Sequence, residues 1–377
     1  MKFKKKKMKM AIVATVPSMI RIYLSNHIRI LSKHYEITVF TNLNKNKKLL
    51  DNLPKKVRKC HVPFRRNISI FYDIITLIIL VIKFKKEEFN ISYSISPKGG
   101  FLSSISSFFV GTPVRIHTFT GQVWKTKKGV LKMILIKIDK LISYCSTALI
   151  IDSKSQKNFL LKKNIIDKEK SVVLGHGSIS GVDLKKFKPS NKSRNEIRKK
   201  YNISKNNVIF LYLGRINRDK GLEELVRAFE NLRSNKKIVL WIVGNDEENL
   251  KKMIMDKQNI RFFPFTNTPE KFMQAADVFC LPSKREGFGT SVIEAGACST
   301  TSIGSNIYGI TDSIVNGKTG LLHKLNNVRD IANKMNKLAN NHKLRKHMGI
   351  EARKRVINKF DQNHASLNLL NYIKKLY

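Results

Sequence analysis

Short apolar runs alternate with amphipathic stretches along the first 150 residues. Positions 10–16 and 36–41 read as strands flanking a helix over 20–32, the rhythm of a parallel sheet with crossover helices. Further strands are predicted at 91–95, 114–118 and 148–151, the last closing this sheet, with helices over 71–84, 100–109 and 131–143. Between Leu174 and Pro189 the residues Gly175, Gly177, Ser178, Ser180 and Gly181 crowd together, which marks an interdomain connection. A charged amphipathic piece follows at 194–201. The rhythm then restarts, with strands at 208–213, 238–243, 260–263 and 278–281 and helices over 222–232, 269–276 and 290–297. A last amphipathic stretch, 364–376, has the character of a helix able to pack back on the first half. The pattern therefore predicts two doubly wound α/β halves in tandem, whose facing crevice is the default ligand site.

Composition adds one strong feature to this picture. The 377 residues carry 72 Lys and Arg against 27 Asp and Glu, a formal net charge of +45, which draws the chain towards polyanions: nucleic acid, an anionic membrane face or phosphorylated substrates. Biased codon usage explains abundant Lys, Asn and Ile, but not the shortage of acids. The cysteines at 60, 145, 280 and 298 form no Cys-x-x-Cys pair and have no His at zinc-finger spacing, so they read as buried or free thiols in a reducing compartment. The basic first ten residues precede an apolar run too short for a signal peptide, and no segment reaches the length of a membrane span. Helix 71–84, with Lys83, Lys85 and Lys86 at its end, has two readings. A core helix with a basic last turn that suits the helix dipole is preferred to a membrane-docking surface.

Two glycine-bearing turns carry the candidate chemistry. The first follows the strand 208–213: Gly214-Arg215-Ile216-Asn217-Arg218-Asp219-Lys220-Gly221, where Arg215 and Lys220 sit to converge on one diphosphate. The second follows the strand 278–281, with Glu286 before Gly287 and Gly289, and Glu294 two helical turns further on. Backbone N–H groups at such a strand–turn–helix junction hold anions. The order Gly-x-x-x-x-Gly-Lys-Ser/Thr is absent, and the first strand does not enter a Gly-x-Gly-x-x-Gly turn, which argues against a nucleotide hydrolase and an ordinary dehydrogenase. His117, at the end of a predicted strand, is a further candidate to touch substrate.

Gly-Arg-x-x-x-x-Lys-Gly, then Pro282-Ser283 and Glu286-Gly287-Phe288-Gly289, with a second Glu eight positions after the first and a strand-terminal His, resemble the retaining glycosyltransferases of family four. The resemblance covers almost the whole chain. It implies the GT-B fold, two facing Rossmann-like doubly wound domains with a deep interdomain cleft. It divides the chain into an acceptor-binding domain, 1–178 with helix 362–377 packed back on it, and a nucleotide-sugar-binding domain, 179–361. It also implies that Gly214, Arg215 and Lys220, with backbone N–H groups near Phe288, Gly289, Thr290 and Ser291, hold the donor diphosphate. Glu294 would then take the ribose hydroxyls, Glu286 the donor sugar, and His117 would lie beside the transferred sugar. No metal or other cofactor is expected, since fixed cations and a helix N-terminus can stabilise the leaving diphosphate. Stretches 118–124 and 178–183 resemble the subgroup that builds bacterial surface polysaccharides on a lipid carrier.

The partners expected are thus a nucleotide-sugar donor, with UDP the leading base, a lipid-linked saccharide acceptor and an anionic membrane surface, at the inner face of the plasma membrane. Departures from the family pattern fall at Pro17-Ser18-Met19, where many relatives have a Gly-rich loop, at Ser299-Thr300-Thr301, where Gly-x-Pro is common, and at Pro264, where a glycine is common. Alternatives are a sugar-nucleotide epimerase or a phosphorylase of related fold, and a charge-driven nucleic-acid binder. The last lacks any helix-turn-helix, zinc-finger or aromatic RNA-binding signature, so no nucleic-acid partner is expected.

Overall fold

A computed structural model describes residues 7–44, 46–65, 69–232, 237–254, 257 and 259–377. The chain forms two compact units, Met1–Ser180 with Gln362–Tyr377, and Gly181–Asp361.

Unit 1 is built on a parallel sheet of β1 (Lys9–Val13), β2 (Glu36–Thr41), β3 (Arg58–His61), β4 (Ile91–Ile95), β5 (Val114–Phe119), β6 (Ala148–Ile151) and β7 (Ser171–Val172), in the order β3-β2-β1-β4-β5-β6-β7. Its central strands are apolar on both faces because helices cover both. Met10, Ile12 and Ala14 pack with Leu24, Ile28 and Ile373 on one side, while the intervening Ala11 and Val13 pack with Phe40, Leu80 and Phe84 on the other. The order reverses between β1 and β4, so the carboxyl ends of those two strands form a topological switch point. The expectation that 148–151 closes this sheet is corrected: the two-residue β7 lies outside β6, and β3 forms the opposite edge. Neither edge strand is long or apolar enough to stand out from loop sequence. His117 sits two residues before the end of β5.

The helix Gln362–Lys374 belongs to unit 1, although 181 residues separate it from the rest of that unit. Leu369, Leu370 and Ile373 join the core beside β1, and Asn26 Nδ2 donates to the Gln362 carbonyl (3.0 Å) and Ser366 Oγ (2.9 Å).

The helix Ile70–Glu87 has a core stripe and an outward apolar face. Thr76, Leu80 and Phe84, four residues apart, are buried, while Ile70, Phe71, Ile74, Ile78 and Ile82 face outward and are more than half exposed. The helix Gly129–Cys145 likewise exposes Val130, Leu131, Met133, Ile134, Leu141 and Tyr144. Among the described residues no helix is long and apolar enough to cross a membrane.

Unit 2 holds six parallel strands, β8 (Val208–Leu213), β9 (Ile238–Val243), β10 (Ile260–Phe263), β11 (Val278–Leu281), β12 (Thr301–Ser305) and β13 (Gly320–His323), in the order β10-β9-β8-β11-β12-β13. Period-two alternation again divides each strand between two cores. Ile209 and Leu211 pack with Trp241 and Phe279, whereas Phe210 and Tyr212 pack with Leu225, Val226 and Leu240. The switch point of this sheet lies between β8 and β11. Ser299 takes φ +62°, a left-handed conformation that favours glycine, and Thr300 Oγ1 beside it donates to the Met273 carbonyl (2.8 Å).

Candidate functional site

Both glycine-bearing turns leave the carboxyl ends of β8 and β11 at the switch point of unit 2, and they touch backbone to backbone. Gly221 has φ +69°, and a Cβ there would lie 2.0 Å from the Pro282 carbonyl oxygen, so only glycine lets the turns meet. Side chains then pin them together. The Lys284 N–H donates to the Asp219 carbonyl (2.8 Å), Arg285 Nε pairs with Asp219 Oδ2 (2.8 Å), and Lys284 Nζ pairs with Glu224 Oε1 (2.8 Å). A third loop closes on them at Gly309, φ +84°, where a Cβ would meet the Gly287 carbonyl at 2.7 Å.

Arg215 lies on the open side of this junction. Tyr212 Oη donates to its carbonyl (2.5 Å), and its half-exposed guanidinium pairs with Glu247 (3.2 Å). Asn217 Nδ2 donates to the same Glu247 oxygen at 3.0 Å. Lys220 is mostly buried and pairs with Glu286 Oε1 (2.5 Å), which also accepts from Ser283 Oγ (2.8 Å). Lys220 and Glu286 therefore act on each other, a link that the sequence expectations of separate diphosphate and sugar contacts did not contain.

The helix Thr290–Ala297 starts at Gly289, φ +84°, with no side-chain cap. Among the described residues the N–H groups of Phe288, Gly289, Thr290 and Ser291 have no acceptor, so the first turn presents uncompensated donors. The Phe288 ring itself is buried against Phe360, with centroids 5.2 Å apart, which leaves only its backbone to contact a ligand. Glu294, one turn into this helix, is partly buried, and its carboxyl makes no hydrogen bond or ion pair among the described residues. Burial pushes its pKa up to about 7, Lys186 opposing and Glu270 adding to the effect. Those two side chains pair with each other at 3.4 Å. An unpartnered carboxyl one turn from a bare helix N-terminus is suited to hydroxyls next to an anion.

Arg215, Lys220, Gly214, Glu286, residues 288–291 and Glu294 thus occupy one switch point. Asn217 and Ser283, from the two motifs themselves, take part through Glu247 and Glu286, while Glu247, Lys186 and Glu270 join them from elsewhere without a sequence signal. Glu247 lies 32 residues from Arg215, so only the pairing of β8 with β9 brings it close.

His117 lies in unit 1. It is 1% exposed, its Nδ1 is 3.0 Å from Ser94 Oγ on the paired strand, and its ring meets Phe119 edge-on. Gly100 makes room for it, since a Cβ there would sit 2.1 Å from His117 Cε1. Burial lowers its pKa to about 3, so the imidazole is neutral. Nε2 makes no hydrogen bond among the described residues.

Residues 193–355 match the family profile of glycosyl transferases group 1. The capsular polysaccharide biosynthesis glycosyltransferase CapM of Staphylococcus aureus is 32% identical over 336 residues, 87% of each chain. The chain belongs to the group 1 glycosyltransferases. A second relative of this glycosyltransferase, the UDP-Gal:alpha-D-GlcNAc-diphosphoundecaprenol alpha-1,3-galactosyltransferase of Escherichia coli, is 28% identical over 340 residues, covering 87% of this chain and 86% of that protein. Among solved structures, Anabaena HepE in complex with UDP and glucose superposes with a TM-score of 0.82 at 15% identity, covering 98% of this chain and 100% of that one. WaaG, a glycosyltransferase involved in lipopolysaccharide biosynthesis, gives 0.75 at 15%, over 97% and 99%. The fold is GT-B, and the glycosyltransferase is of the hexosyltransferase class, related to enzymes of capsule assembly and of lipid-linked acceptors.

Proposed function

We propose that this glycosyltransferase moves a hexosyl or N-acetylhexosaminyl unit from a UDP-sugar to a lipid-linked saccharide, with retention of anomeric configuration, in the assembly of a bacterial surface polysaccharide. The observation that carries the reading is the unit 2 switch point, where an uncapped helix N-terminus, two cations and an unpartnered carboxyl converge. Arg215 and the N–H groups of residues 288–291 neutralise the donor diphosphate as its bond to the sugar breaks. Lys220, held by Glu286, adds a second cation and fixes that carboxylate towards the donor sugar. Glu294 accepts hydrogen bonds from the ribose hydroxyls, and the neutral His117 offers Nε2 to an oxygen of the transferred sugar. The acceptor hydroxyl attacks from the face the diphosphate leaves, and a phosphate oxygen takes its proton. This route needs no carboxylate nucleophile, unlike that of most retaining hydrolases.

The relatives' names support a lipid-linked acceptor, since one acts on a diphosphoundecaprenol-linked sugar. The outward apolar faces of Ile70–Glu87 and Gly129–Cys145, in a chain of net charge +45, support work at an anionic leaflet, where each nearby Lys or Arg contributes about 1 kcal/mol. A panel of sugar nucleotides tested by thermal stabilisation checks the donor, because a ligand of the native state raises the melting temperature. UDP and one UDP-sugar should stabilise the wild type but not Arg215→Ala/Lys220→Ala. Equal stabilisation of both proteins would remove the donor from this switch point.

A further inference from the structure

The switch point of unit 1 carries a second cluster of unused donors. The helix Pro97–Phe109 begins there, directly after β4, with Ser96 as its N-cap. Ser96 holds φ +80° and ψ 149°, and its hydroxyl makes no capping hydrogen bond. The residue is 6% exposed, and its buried Oγ has no partner among the described residues. It points into the first turn of the helix, 2.9 Å from where a Cβ of Gly99 would stand. That same point is 3.5 Å from the Thr15 nitrogen, at the carboxyl end of β1. Neither the Thr15 N–H nor the Gly99 N–H has an acceptor among the described residues. The missing side chain of Gly99 therefore leaves a small cradle walled by the Ser96 hydroxyl, the Thr15 amide and, at 3.6 Å, the Ala14 Cα, with the Gly99 N–H at its base. Lys98, in the first turn of the same helix, is mostly buried and pairs with Asp73 at 2.8 Å.

A buried hydroxyl without a partner costs about 1–3 kcal/mol, and a 13-residue helix concentrates about half a positive charge at its N-terminus. Both are relieved by the same occupant, an anionic oxygen. We propose that this cradle is an anion subsite for a phosphate group, and that its occupant is the diphosphate of the lipid-linked acceptor. Ser96 Oγ–H and the two N–H groups donate to phosphate oxygens. The positive end of the helix supplies the favourable field, since the Lys98 ammonium is already paired with Asp73. The assignment of a lipid diphosphate rests on the function proposed above, while the phosphate chemistry of the cradle does not.

Hydrogen exchange on the full chain, read by mass spectrometry, tests both levels separately. The peptide spanning residues 96–102 reports the cradle, and the peptide spanning 286–292 reports the donor site. Farnesyl diphosphate in detergent micelles should slow exchange at 96–102 saturably, and at roughly tenfold lower concentration than inorganic pyrophosphate, with orthophosphate weaker still. Ser96→Ala should raise the half-saturating concentration roughly tenfold, the loss of one hydrogen bond to a charged group, with the urea midpoint unchanged or higher because an unpartnered hydroxyl is removed. Gly99→Ala should abolish the effect by filling the cradle. No protection at 96–102 by any of the three probes, or wild-type protection in both variants, would overturn the subsite. Equal protection by farnesyl diphosphate and inorganic pyrophosphate would overturn the lipid assignment. UDP, by contrast, should protect 286–292; its failure there would sink the donor reading and leave the cradle standing.

Discussion

Replacing Glu294 with Gln separates what this carboxyl costs the fold from what it gives the ligand. Its pKa stands at about 7 against an ordinary 4.5, chiefly through burial. At roughly 1.4 kcal/mol per decade, this gap corresponds to about 3 kcal/mol held against the folded state once the group is ionised. The sign follows from proton counting. Between pH 4.5 and 7 the native state keeps a proton that the unfolded chain has lost, so stability falls as pH rises through this window. Gln cannot ionise. The variant should therefore exceed the wild type by about 1 kcal/mol at pH 5 and about 3 kcal/mol at pH 8. Urea unfolding followed by Trp241, which lies in the unit 2 core, in a Trp124→Phe background reads this directly. UDP binding should move the other way. Losing a charge-assisted bond to ribose weakens it by about 1.5–3 kcal/mol, roughly tenfold or more. A stability difference equal at both pH values would refute the electrostatic argument, and unchanged UDP affinity would refute the ribose assignment.

Lys220→Ala should destabilise unit 2 by about 3 kcal/mol because it strands the Glu286 carboxylate, and Glu286→Ala in addition should recover part of that loss; additive effects in urea unfolding would show the pair is not coupled. Unit 1 should be acid-labile. Burial lowers the pKa of His27 to about 4 and that of His117 to about 3, so their contribution is present above pH 6.5 and lost as pH falls, at about 2 kcal/mol each by pH 5. His27→Gln should flatten that slope, and a pH-independent unit 1 midpoint between 7.5 and 5 would contradict it. Ile74→Ser with Ile78→Ser, both outward-facing, should lower sedimentation with phosphatidylglycerol vesicles several-fold while leaving thermal stability within about 0.5 kcal/mol of wild type. Equal sedimentation would move the membrane contact elsewhere. Dialysis against a chelator should leave turnover unchanged, and strict dependence on Mg²⁺ or Mn²⁺ would contradict the metal-free route.

Period-two apolar runs and the helices between them were legible in the sequence because a strand buried on both faces has little freedom in composition. Strands 36–41, 91–95, 208–213, 238–243, 260–263 and 278–281 are found at the positions predicted from that pattern. The turns after β8 and β11 were legible as well, since their glycines, Arg215, Lys220 and the spaced glutamates are local signals. What the tertiary structure decided depends on contacts distant in sequence. Edge strands β3, β7 and β13 are short and exist through their neighbours. The outward apolar face of Ile70–Glu87 needed burial to be told from its core stripe. The Lys220–Glu286 pair spans 66 residues, and the cradle of Ser96, Gly99 and Thr15 joins two strand ends about 80 residues apart. Residue type fixes what a side chain can donate or accept, but whether that capacity is already used depends on which distant group the fold places beside it.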